Sequence, residues 1–343
     1  MTPVNSSPEE RALDDAVEVD GSLTSAAGEA IREKYRGAIL GAAIGDALGS
    51  VYEGTPRLVH EDIEYLLSDP HDLRYTDDTA MTIAMAESLI ARGAFDQDHM
   101  AETFAAAYWA EPGRPYGLGP PEIFEQMMNG KSWRHASLSL YDGGSFGNGG
   151  AMRVSPAALF AAPDLDAVAA VAAGSALITH AHPLGLEGAE HQAVAIALAL
   201  ASDPGIPLDT MAFIETLLRR VRSEEFHTAF RAVAELLPSS DRDEAVQRLG
   251  HGVRAVEAVP VAIWCFLRNP ESFAETALYA ITVGGDTDTI ASMACAISGA
   301  RLGESAIHEI WRVRIEGRAK LQSIADALTS IASRNGKGSN RRD

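Results

Sequence analysis

Asp77 and Asp78 stand side by side in "RYTDDTAMTI", with Thr76 before them and Thr79 after. Adjacent carboxylates repel, so the pair needs water or a countercharge. Far down the chain, "GGDTDTIASMACAISGA" repeats the pattern with Asp286, Asp288 and Thr289. Asp and Thr are good N-caps, and carboxylates favour the positive end of a helix dipole, so capping alone explains either cluster taken singly. Four aspartates with flanking hydroxyls exceed what two caps require. If the clusters meet in space, their oxygens suit a hard divalent cation, Mg²⁺ or Mn²⁺, singly or as a pair.

Two other stretches carry potential chemistry. In "YDGGSFGNGGAMRVSP" five of the eight residues from Gly143 to Gly150 are glycine. Such a run is either a flexible turn or a loop whose N–H groups close around a pyrophosphate, with Phe146 able to stack on a base. It is neither GxGxxG after a strand nor a Walker loop, so Rossmann and P-loop readings fail. In "ITHAHPLGLEG" His180 and His182 lie two apart, which is not the HExxH spacing of a zinc helix. His180 reads either as a satisfied core histidine or as a polar contact to a ligand.

The elements that position these residues are expected to be helices. Apolar periodicity predicts helices over 80–92, 98–109, 167–178, 187–201, 255–267 and 272–281, and another from Ile290 with Met293, Ala294 and Ile297 in register. No stretch alternates convincingly over strand length, so the fold class is all-α, a single compact orthogonal helical bundle. In "RGAILGAAIGDALGSVYEG" Gly37, Gly41, Gly45 and Gly49 recur every fourth residue. On a helix they make one side nearly bare, so another backbone can approach; that packing must offset about 1 kcal/mol per interior glycine. Residues 1–28 are polar, acidic and aperiodic, and 334–343 read the same way. Both are expected to be disordered tails around one domain over 29–333.

With 343 residues and 46% hydrophobic content, the chain can bury a large core. The formal charge of −20 argues against binding a nucleic-acid backbone. Cys265 and Cys295 have no CxxC spacing and read as reduced, buried thiols. No secretory signal or membrane span is visible, which makes a cytoplasmic protein the expectation.

In chain order, "GDALGSVYEG", "YTDDTAM", "GSFGNGGAMR", "THAHPLG", "VPVAIWCFLR" and "GGDTDTIASMA" resemble the ADP-ribosylglycohydrolase family, over about Arg36 to Gly303. The closest likeness is to its branch acting on serine-ADP-ribose, poly(ADP-ribose) and O-acetyl-ADP-ribose. The resemblance implies an all-helical fold, two Mg²⁺ ions in a cleft (Mn²⁺ as a substitute), and hydrolysis at C1″ of the distal ribose. It implies metal ligation by Thr76, Asp77, Asp78, Asp286, Asp288 and Thr289. Glu53 matches a glutamate that gates the cleft and touches a metal, and Glu53, Asp77 and Asp78 are the implied catalytic carboxylates. The implied ADP-ribose loop is Gly143, Gly144, Ser145, Phe146, Gly147, Asn148 and Gly149. Within it Ser145, Gly147 and Asn148 meet ribose and phosphates, and Phe146 meets the adenine side. His180 and Val253 are further implied ligand contacts.

The chain departs from that branch at Gly143, where a lysine can stand, and at Pro115, where a glycine stands. Leu140 or Tyr141 replaces a phenylalanine ahead of the loop. "GDALG" and "THAHP" resemble the arginine-directed branch instead, which leaves an arginine-directed hydrolase as the alternative, beside a non-catalytic ADP-ribose binder. The implied partners are ADP-ribose and ADP-ribosylated proteins or O-acetyl-ADP-ribose, met by a monomer.

Overall fold

The computed structural model describes residues 26–55, 72–239 and 241–339, leaving aside side chains beyond 334. Most of the expected tail 1–28 therefore lies outside the described residues. Sixteen α-helices occupy the rest, and among the described residues there is no strand, only isolated bridges pairing Leu73 with Ile315 and Gly147 with Arg254. The first half holds α1 (Ala26–Gly49), α2 (Asp77–Arg92), α3 (Gln97–Ala110), α4 (Gly119–Met128), α5 (Trp133–Ser139), α6 (Ser155–Ala161), α7 (Leu165–Ala176) and α8 (Pro183–Ala201). The second holds α9 (Thr210–Leu218), α10 (Glu224–Leu236), α11 (Arg242–Leu249), α12 (Ala255–Arg268), α13 (Phe273–Thr282), α14 (Thr287–Leu302), α15 (Glu309–Arg314) and α16 (Arg318–Ser339). The all-α expectation holds, and each predicted helix is present with shifted ends. The two outer ends also differ from expectation: α1 starts at Ala26, ahead of residue 29, and α16 runs past residue 333 to Ser339. Both extensions, Ala-Ala-Gly over 26–28 and a polar run over 334–339, lack the apolar repeat that marks a helix.

The glycine stripe of α1 meets α14. A Cβ at Gly37, Gly41, Gly45 or Gly49 would lie 2.3, 2.4, 2.2 or 2.3 Å from the carbonyl oxygens of Gly299, Cys295, Ala291 and Thr287 respectively. The partners step by four in opposite senses, so the two helices run antiparallel with their backbones in contact. Any side chain on α1 at these positions would force them apart. Both helices are buried along most of their length, and around this pair the other elements form one continuous apolar core. The arrangement brings the C-terminal end of α1 against the N-terminal end of α14, where Asp286 and Asp288 lie. No described helix is long and apolar enough to cross a membrane.

Candidate active site

Two helix starts face one cleft. Thr76 is the N-cap of α2, its hydroxyl accepting from Asp78 N at 3.5 Å. Asp77 and Asp78 occupy the first turn. Asp286 is the N-cap of α14, with Asp288 and Thr289 in the first turn. Across 211 residues of sequence the two starts touch: Thr289 Oγ1 donates to Asp78 Oδ2 at 3.3 Å. The clusters therefore meet in space.

Glu53 joins them through backbone pairing. Gly54 N donates to Gly285 O at 3.0 Å and Gly285 N to Thr55 O at 3.4 Å, which ties the turn after α1 to the turn before α14. Gly284 and Gly285 have φ of 73° and 75°, conformations that favour glycine. Carboxylate oxygens of Glu53, Asp286 and Asp288 fall within 4.8 Å of one another.

A cavity of about 460 Å³ opens over these acids, and Asp77, Asp78 and Thr289 line it as well. Thr76 does not; it stays buried behind them at the helix start. The opposite wall is the glycine-rich loop. Ala255 N donates to Phe146 O and Asn148 N to Val253 O, at 3.0 and 2.9 Å, pinning the loop to the segment before α12. Ser145 O accepts from His182 N at 3.2 Å, pinning it to the start of α8. Ser145, Gly147, Asn148, Gly149, His180 and Val253 line the cavity. Gly143 and Gly144 do not: with φ of 76° and 87° they form the turn leading in, and a Cβ on Gly144 would lie 2.6 Å from His182 N. Phe146 sits on the rim, half exposed, edge-on to His182 and beneath the Arg254 guanidinium. Asn148 links the two walls, its side-chain amide donating to Asp286 Oδ2. His182 itself is the N-cap of α8, its Nδ1 accepting from Leu184 N.

The electrostatics are those of crowded acids. Burial, then the charges of Asp46 and Asp288, push Asp77 up to about 8. Burial and Asp286 push Asp288 to about 7. Asp78 is raised well above the usual carboxylate range by burial and by Asp46, Asp288, Asp77 and Asp286. Glu53, at the mouth, is raised mainly by the charge of Asp288. Asp78 Oδ1 is buried with no hydrogen-bond partner, a costly state for a carboxylate. All-oxygen donors, converging carboxylates and an unspent buried oxygen fit a hard divalent cation.

Spacing arguments missed several residues of this site. Asp46, wholly buried on α1, accepts from Thr76 N, Thr79 N and Thr79 Oγ1 at 2.6 to 3.0 Å. It caps α2 from a different helix and so aims Asp77 and Asp78 into the cleft. A lone charge inside an apolar Gly/Ala helix was the signal available. Tyr116, Gly117 and Leu118 also line the cavity, beside Tyr141, which the resemblance had already marked. Leu118 is among the most exposed apolar residues described, and its loop had no pattern to mark it.

The fold and cleft place the chain in a class of helical hydrolases. The ADP-ribosylglycohydrolase family pattern matches residues 27–338, and the chain belongs to that family. ADP-ribosylhydrolase ARH3 of Mus musculus is 37% identical, with 87% of this chain and 91% of that protein covered. The Homo sapiens ARH3 is 35% identical, covering 87% and 93%. A solved structure described as an ADP-ribosylglycohydrolase-related protein complex superimposes with a TM-score of 0.68 at 25% identity, covering 89% of this chain and 99% of that one. The protein is accordingly an enzyme, an ADP-ribosyl glycohydrolase acting on ADP-ribosylated substrates.

Proposed function

We propose that this cleft hydrolyses an O-glycosidic bond at C1″ of the distal ribose, in serine-ADP-ribose, poly(ADP-ribose) or O-acetyl-ADP-ribose, and does so with two Mg²⁺ ions. The observation that carries the reading is the 3.3 Å contact from Thr289 to Asp78, which joins two acidic helix starts opposite a glycine-rich loop. Similarity to proteins named ADP-ribosylhydrolase ARH3 supports the choice of substrate.

In this reading Thr76, Asp77, Asp78, Asp286, Asp288, Thr289 and Glu53 hold the ions. When bound, the ions supply positive charge that orients ribose hydroxyls and offsets the repulsion among the acids. The chain's own groups do the rest. Ser145, Gly147 and Asn148 hold ribose and phosphates, and Gly143, Gly144 and Gly149 give the loop its shape. Phe146 covers the adenine side, and His180 and Val253 close the wall. Water adds to C1″ as the C1″–O bond breaks, through an oxocarbenium-like state that the carboxylates stabilise. Asp77 or Asp78 takes the water's proton, and the departing oxygen is protonated as it leaves. Glu53, exposed at the mouth and close to Asp288, gates the cleft and passes protons. We place the enzyme in the cytoplasm as a monomer, with Cys265 and Cys295 free and buried.

The test supplies serine-linked and arginine-linked ADP-ribosyl peptides side by side, with and without Mg²⁺. Mg²⁺-dependent release from serine alone is expected; release from arginine alone overturns the linkage. The double variant Asp77→Ala, Asp78→Ala is expected to lose at least about a thousandfold in turnover while staying folded. Undiminished hydrolysis by it would remove the metal assignment.

A further inference from the structure

Arg153 lies beneath the cleft with no surface exposed, in the "GGAMR" stretch that ends the glycine-rich loop. A buried guanidinium is expensive, and an apolar side chain would fill the same space at lower cost. Its guanidinium carbon sits 4.5 Å over the Phe104 ring. Nη2 donates to Ser175 O and to Thr179 Oγ1, each at 2.9 Å. Nε and Nη1 have no partner. This residue is therefore not placed for an ion pair; its directed contact with a side chain is the Thr179 hydroxyl.

Thr179 Oγ1 in turn lies 2.8 Å from His180 Nδ1. Two proton arrangements are open. In one, Nδ1–H donates to Thr179, whose oxygen already accepts from Arg153. The buried hydroxyl proton then points at no acceptor, which costs about 1–3 kcal/mol. In the other, Thr179 accepts from Arg153 and donates its single proton to Nδ1. The Thr179 hydroxyl and His180 Nδ1 are then both satisfied, and in a neutral ring the proton sits on Nε2. Neutrality is favoured as well: burial and the Arg153 charge lower His180 to about 3. Nε2 faces the glycine-rich loop, 2.8 Å from where a Cβ on Gly149 would stand, so absent side chains leave it open to the cleft.

We propose that Arg153, acting through Thr179, fixes His180 as the Nε2–H tautomer, so that the cleft wall offers a hydrogen-bond donor to a phosphate or ribose oxygen of the ligand. Arg153 and Thr179 act through His180 and are positioning residues: Arg153 is wholly buried, while Thr179 also lines the cavity. The ligand class rests on the reading above, whereas the tautomer does not.

The experiment uses the full chain labelled with ¹⁵N-histidine, the His180 signals being assigned by difference against His180→Gln. Ring nitrogen shifts report which nitrogen carries the proton. Wild type is expected to show Nε2–H, neutral throughout the range where the protein stays folded. Thr179→Val keeps the shape and removes the relay. It is expected to move the proton toward Nδ1 and to raise KM for an ADP-ribosylated peptide about tenfold, with the larger share of the loss in KM rather than kcat. Thr179→Ser is expected to restore both. Arg153→Met, checked for folding by thermal melting, is expected to weaken the Nε2–H preference in the same direction. An Nδ1–H ring in wild type overturns the proposal, as does a Thr179→Val protein with unchanged tautomer and KM. Absence of hydrolysis by wild type with the Nε2–H ring intact would overturn the substrate reading instead.

Discussion

The starts of α2 and α14 both carry acids into the cleft, and they hold them differently. At α2 the orphan N–H groups are served by Asp46, which reaches across from α1. Asp77 and Asp78 are left with few partners, and Asp78 Oδ1 has none. At α14 Asp286 occupies the N-cap position yet makes no capping bond; its oxygen goes to Asn148 of the glycine-rich loop. Asp288 accepts from its own helix, at Thr289 N, at 2.8 Å. One half of the site is thus bare and aimed from behind, while the other is wired to the opposite wall. In neither does the aspartate serve as an ordinary cap, which is why the caps never accounted for the paired acids.

The largest expected effect breaks the α14 half mechanically. Gly49 has an ordinary helical conformation, so Gly49→Ala brings no backbone strain. The new Cβ would lie 2.3 Å from Thr287 O and 2.6 Å from the Asp288 Cα. Overpacking of this kind costs about 1–3 kcal/mol, and a displacement near 1 Å at the chemistry costs about a hundredfold in rate. Gly41→Ala is the control: it meets Cys295 O at 2.4 Å, far from the acids. Thermal melts are expected to show similar destabilisation for both variants. Steady-state kinetics should show kcat lost for Gly49→Ala and retained for Gly41→Ala. Equal kcat in the two would detach helix packing from the placement of Asp286 and Asp288.

The α2 half is broken from behind, with a smaller effect. In Asp46→Asn a single oxygen remains to accept, and the amide group faces donors at Thr76 N or Thr79 N. The carboxylate it replaces is itself strained, pushed by burial to about 7, so stability should change little. The aim of Asp77 and Asp78 is lost, and kcat is expected to fall about tenfold with KM less affected. A variant with wild-type kcat would show that Asp46 serves the fold alone.

How much of this was legible in the sequence follows the range of the interactions. The helices were readable because Ala-rich apolar periodicity is local, and α1 announced a close neighbour through its four glycines. Nothing in the sequence named that neighbour: Gly299, Cys295, Ala291 and Thr287 form a matching face only once the antiparallel pairing is known. The two acidic clusters stood out by residue type, but their meeting depends on the α1–α14 contact. Asp46 and Arg153 were legible only as lone charges inside apolar runs, a signal that marks a buried polar group but names no partner. Phe146 was singled out as an aromatic among glycines, and that could not reveal its position on the rim rather than in the wall.

The finest distinction between the two halves concerns protons, and it is measured without turnover. In metal-free protein Asp77 is raised to about 8 and Asp46 and Asp288 to about 7, burial being the largest cause in each. In the unfolded chain the same groups titrate near the ordinary value of about 3.9. Between those values the folded state holds protons that the unfolded state has released. Their contribution to stability is therefore complete below about pH 4 and is lost as pH rises through 7 to 8. Metal-free protein is expected to melt several degrees lower at pH 8 than at pH 6. Mg²⁺ binds the folded, ionised site, so at a hundred times its Kd it should return about 2.7 kcal/mol at pH 8 and much less at pH 6, where protons compete. Replacing Asp77 and Asp78 by Asn should reduce the pH slope, leaving the share of Asp46 and Asp288, and abolish the Mg²⁺ shift, because the removed oxygens contribute to both. Replacing Asp286 alone should weaken the Mg²⁺ shift while leaving most of the slope, since the raised groups at 46, 77 and 288 remain. A melting temperature that is level from pH 6 to 8 and indifferent to Mg²⁺ would mean the acids are relieved by some other neighbour, and the split metal site would fall with it.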